Sequence, residues 1–116
     1  MSHWITLIGK DGKVVEVPVH SEGGTYALGG LPEAELNVTY NYSKFYYQTL
    51  NKEEGIRWLN GKKAKEVQAA LSLAIHKLGT VQHPDYWRST RGNAGYALSI
   101  LLKWAELYPE AKFEIN

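Results

Sequence analysis

The chain has 116 residues, 44% hydrophobic and 22% charged, with a net charge of +1 and no cysteine. That is enough for one domain, residues 1–116, with its own core, and it leaves out disulfides, thiolate metal sites and cysteine nucleophiles. A charge so near neutral offers no basic stripe to duplex nucleic acid and no pull toward an anionic membrane surface.

In chain order, "HWITLIGKDGKVVEVPVH" reads as a β-hairpin, with Asp11-Gly12 at its tip. Pro18 gives no ladder donor, which puts its strand at an edge. "SEGGTYALGG" is either a loop or a short third strand. Residues 35–42 alternate, with Leu36, Val38, Tyr40 and Tyr42 on one face and Asn37, Thr39 and Asn41 on the other. "SKFYYQTL" begins a short helix capped by Ser43. "NKEEGIRWLNG" is a second short helix, with Asn51 and Glu54 as a capping box and Gly61 as its stop.

A longer helix runs from about Lys63 to Leu78, with Val67, Leu71, Ala74, Ile75 and Leu78 on one face and Gly79 behind it. The next runs from about Ala94 to Tyr108. It is apolar nearly all round, which predicts contacts on several sides. "AKFEI" is a last strand that rejoins the sheet. The class is α+β: a small, mostly antiparallel sheet of N-terminal hairpin, central strand and C-terminal strand, packed against helices. No run approaches the roughly 20 apolar residues that span a bilayer. "MSHWITLIGKDG" lacks the pattern of a signal peptide, so the chain is read as cytoplasmic.

Catalytic chemistry is sparse. His3, His20, His76 and His83 have no zinc-type spacing. His20 and Ser21 are adjacent in sequence, which is not triad geometry, although a hydrolase would have to use His20 or Glu22. The glycine pairs match no phosphate-binding motif. The reading is a non-enzyme with no metal and no cofactor.

Two stretches stand out as binding surface. "DYWRSTRGNAG" places Arg88, Thr90, Arg91 and Asn93 before an apolar helix, whose N-terminal amides favour an anion. Tyr86 and Trp87 add flat faces for a base. In "AELNVTYNYSKFYY", Asn37, Thr39 and Asn41 offer donors and acceptors beside Tyr42, Tyr46 and Tyr47. Both have plain structural readings as well: Thr90 or Asn93 as a helix cap, Trp87 as core, and Thr and Tyr as good strand residues. If the apolar helix covers the sheet, the two stretches lie side by side.

"EAELNVTYNYSKFYY" and "DYWRSTRGNAGYAL", with "EGGTYALGG" and "ELYPEAKFEI", resemble small proteins encoded in phages and prophages. The resemblance covers most of the chain after Ser21 and carries no catalytic residue. It implies a viral accessory protein in a bacterial cytoplasm, countering host defence. Two modes are open: sequestering a small anionic, nucleotide-like ligand, or blocking a host protein through the same Tyr, Trp and Arg residues. Exposed aromatics and an edge strand also fit a homodimer.

Overall fold

Strand β1 (Ser2–Ile8) buries His3, Ile5 and Leu7 and turns Trp4 outward. The computed structural model describes residues 2–22, 26–85 and 87–116, and for 19–22 and 26–31 the backbone alone. The other strands are β2 (Glu16–Glu22), β3 (Tyr26–Glu33), β4 (Glu35–Thr39) and β5 (Lys112–Ile115). The α-helices are α1 (Ser43–Thr49), α2 (Ala64–Leu78) and α3 (Arg91–Leu107), and two 3-10 turns cover Tyr40–Tyr42 and Gly55–Leu59. The fold is α+β, with an antiparallel sheet in the order β4-β1-β5 packed against helices.

The sheet is assembled differently from the sequence reading. The hairpin is short: the Gly9 amide donates to the Lys13 carbonyl, the Lys13 amide to Asp11 Oδ1, and the Val15 amide to the Leu7 carbonyl. Ile8 and Val14 form one isolated bridge, and then β2 leaves to pair with β3 as a separate two-stranded sheet. The physical reason is occupancy. β1 already has β4 along one edge and β5 along the other, so β2 has no free edge to join. β1, rather than the strand at 35–42, is therefore central.

β4 also ends early. The expected alternation holds through Val38 and stops at Thr39, whose Oγ1 accepts from the Asn41 amide and starts the 3-10 turn. Beyond Thr39 the phase is lost, so Tyr40 is 39% exposed while Tyr42 is fully buried.

Ile5, Leu7, Leu36, Val38 and Phe113 form the covered face of the sheet. Onto the core α2 brings Val67, Leu71, Ala74 and Leu78, at helical spacing. α3 brings Ala97, Leu98, Leu101 and Trp104. It touches α2, α1, β2 and the 40–42 turn, as its apolar composition predicts. It starts a turn earlier than Ala94, because Thr90 caps it by accepting from the Asn93 amide. Likewise Ser43 is the first residue of α1 rather than its cap. Glu66 accepts from the Lys63 amide at the start of α2.

Two backbones meet closely at the start of α3. A Cβ on Gly95 would lie 1.8 Å from the Gly79 carbonyl oxygen, and one on Gly92 1.7 Å from that of Val81. Only glycine permits this approach of the α2–α3 loop to the helix. Among the described residues, no helix is long and apolar enough to cross a membrane.

Candidate functional site

The stretches at 37–42 and 86–93 do meet. Asn41 Nδ2 donates to the Trp87 carbonyl at 2.8 Å, and Ser89 Oγ donates back to the Asn41 carbonyl at 2.7 Å. Most of the residues nominated there have structural work, however.

Tyr42 and Tyr46 are core residues, at 0% and 1% exposure, and their rings meet edge to face at 6.3 Å. Tyr46 O–H donates to the Ala94 carbonyl. They are walls of the interior, because the chain has left the strand when it reaches them: Tyr42 ends the 3-10 turn and Tyr46 is on the buried side of α1. Thr39 is 4% exposed and holds the Asn41 amide. Asn37 lies across from Trp4 on the open face of the sheet and donates to Ser2 Oγ.

Residues 87–90, before α3, form a tied loop. Asn93 is fully buried; its Oδ1 accepts from the His83 amide, and its Nδ2 donates to the Asp85 and Arg88 carbonyls. Thr90 is the helix cap. Arg91 donates to the Lys77 carbonyl in the last turn of α2. Asn93, Thr90 and Arg91 thus hold the loop and the helix ends: at the expected phosphate cradle the Asn93 amide is bonded to Thr90 and the Arg91 guanidinium to the Lys77 carbonyl. Trp87 and Arg88 stay on the surface, with Trp87 42% exposed. Tyr86 lies outside the described residues, as do the side chains of His20, Ser21 and Glu22.

A cleft of about 310 Å³ opens beside Asn41, lined by His3, Tyr40, Ser43, Tyr47, Glu54, Gly55, Ile56 and Arg57. Three local structures supply it. β1 places His3 at the sheet's end. Ser43 and Tyr47, four residues apart, share one side of α1. Glu54 and Arg57, three apart, fall together at the 3-10 turn. Gly55 at φ 58° makes that turn possible, and its Cα packs so near the Tyr47 ring that a Cβ would lie 3.3 Å from it.

His3 is the unusual member. It is 8% exposed, its ring lies 4.5 Å from that of Tyr40 at a 56° tilt, and its Nδ1 is buried without a hydrogen-bond partner. Burial, and then the nearby charge of Arg57, lower its pKa below the ordinary 6.5 and favour the neutral ring. Both ion pairs among the described residues go to Glu110, and Arg57 is in neither. The cleft therefore offers a cation, hydroxyls, an imidazole and aromatic faces in one place. Sequence reasoning missed it, except for Tyr47. The available signal was a histidine in phase with Ile5 and Leu7 on a strand's buried face.

No group of three residues suited to a metal occurs among the described residues. The chain matches no protein-family model, no curated protein and no solved structure, so its chemistry is argued from its own residues.

Proposed function

We propose that this protein binds, without turnover, one small anionic ligand of nucleotide type in the cleft between His3 and Arg57. The observation that carries the reading is the buried, unpartnered His3 on a cleft that also contains Arg57 and the rings of Tyr40 and Tyr47. An anionic group would sit at Arg57, whose guanidinium suits phosphate. A planar ring would rest on Tyr40 or Tyr47. The volume lies at the lower end of the range of roughly 300–1,000 Å³ for small-molecule sites, which favours a mononucleotide over anything larger. Trp87 is tied to Asn41, the chain neighbour of the cleft residue Tyr40. Given the resemblance to phage proteins, sequestration of a host nucleotide signal is the biological role.

Calorimetry against linear and cyclic mononucleotides tests this. Binding at micromolar concentration is expected, weakened about tenfold or more by Arg57→Gln, as loss of a charged hydrogen bond implies. Absence of heat at high micromolar concentration across the panel would end the reading.

A second reading, inhibition of a host protein by direct contact, is favoured by exposed aromatics: Trp4 39%, Tyr40 39%, Tyr47 45% and Trp87 42%. Its mark is a stoichiometric protein partner that Trp87→Ala releases.

A further inference from the structure

The cleft contains a histidine held almost wholly out of water with a ring nitrogen that bonds to nothing. A buried polar atom without a partner is costly, and its persistence calls for a reason. We propose that the cleft takes up its anionic ligand together with one proton from solvent, which His3 holds.

This rests on the anion-binding reading of the same cleft. Three observations carry it. His3 and Arg57 line one cavity, so an anion seated at the guanidinium also faces the imidazole. The ring is closed in and its Nδ1 unpartnered, so a proton placed on that nitrogen meets no acceptor in the free protein. The charge that acts on His3 is that of Arg57, and an incoming anion would neutralise it.

The other titratable groups around the ring are few. The turn after β4 contributes Tyr40, α1 contributes Tyr47 beside the uncharged Ser43, and the 3-10 turn contributes Glu54 and Arg57. β4 places Val38 opposite His3 and adds no charge there. Glu54 is exposed and is not among the causes of the His3 shift. The empty cleft therefore favours neutral His3, and the anion-filled cleft favours imidazolium.

Linkage then makes anion affinity rise as pH falls, by up to about tenfold per pH unit for one proton. The test uses inorganic sulfate, whose charge is constant between pH 5 and 8. His3 is titrated by NMR with and without sulfate, its resonance identified by comparison with His3→Gln. The expected result is that sulfate moves the His3 midpoint to higher pH, and that Arg57→Gln, an exposed change that leaves the fold intact, abolishes this movement. If sulfate perturbs the resonances of Tyr40 and Tyr47 while the His3 midpoint stays put, the proton coupling is overturned and the anion site stands. If sulfate perturbs nothing in the cleft, the coupling is overturned together with the anion site.

Discussion

Asn41 and Trp87, 46 positions apart, are joined by a 2.8 Å bond from side-chain amide to carbonyl, and the chain returns the bond two residues later through Ser89. The pair fastens the loop before α3 to the turn after β4. Asn41→Ala and Ser89→Ala should each cost about 0.5–1.5 kcal/mol, the usual net worth of one such bond. Urea denaturation gives the sum, and amide exchange at 87–90 should quicken more than in α2. Unchanged exchange there would show that the loop is held by Asn93 alone.

The close approach at Gly95 predicts a larger effect. Its added methyl would meet the Gly79 carbonyl, which is backbone and has no rotamer to yield. Gly95→Ala should destabilise by about 3 kcal/mol, the upper end for overpacking. Ser99→Ala, on the same helix but partly exposed, should cost far less. Chevron or urea midpoints of the two variants decide it.

Tyr46→Phe separates core from site. The hydroxyl bonds the Ala94 carbonyl at 3.0 Å, and removing it should cost about 1 kcal/mol. Because the ring is 1% exposed, nucleotide affinity should not change. A variant of normal stability but weakened binding would return Tyr46 to the site.

The lowered pKa of His3 fixes a sign for pH dependence. Between its folded value and the ordinary 6.5, the unfolded chain binds more protons than the native one. Stability from this residue is full above pH 6.5 and is lost as pH falls through that window. Melting curves from pH 8 to 5 should show the decline, and His3→Gln should flatten it. The difference between the two proteins is the readout, since carboxylates add their own slope at lower pH.

Glu110 has the same sign and serves as a surface control. Its carboxyl is held below the usual range by the hydrogen bond from Lys65 and then by the charges of Lys65 and Lys63. Its contribution is present above the ordinary carboxylate pKa and disappears as pH falls through the lowered one. The group is at the surface, where salt screens such pairs, so Glu110→Gln should leave the melting temperature unchanged at physiological ionic strength.

What could be read from sequence was local. Val67, Leu71, Ala74 and Leu78 share a face because helical spacing alone decides it, and Thr90 is a cap because its hydroxyl follows loop and precedes helix. Alternation found β4 but ran past Thr39, since the side-chain bond that turns the chain there competes with strand pairing. Arg91 and Asn93 look like ligand residues in sequence. Their partners, Lys77 and His83, lie in a segment whose position depends on the packing of α2 against α3. The cleft was the least legible feature. His3, Tyr40 and Arg57 come from separate segments, and only the closed sheet brings them together.

The placement of β1 between β4 and β5 also dictates when the protein can be completed. Trp4 and Asn116 exchange backbone hydrogen bonds of 3.3 and 2.9 Å, and Ile5 to Ile8 pair with residues 112–115, far along the chain. As the chain emerges from the ribosome, β1 finds β4 early, while its other edge stays bare until residues 112–115 appear. An unpaired edge beside the apolar Ile5 and Leu7 is a surface that chaperones grip and that neighbouring nascent chains pair with. The sheet therefore closes only once residues 112–115 have been made, and codons that slow the ribosome just before β5 would lengthen the interval of greatest risk.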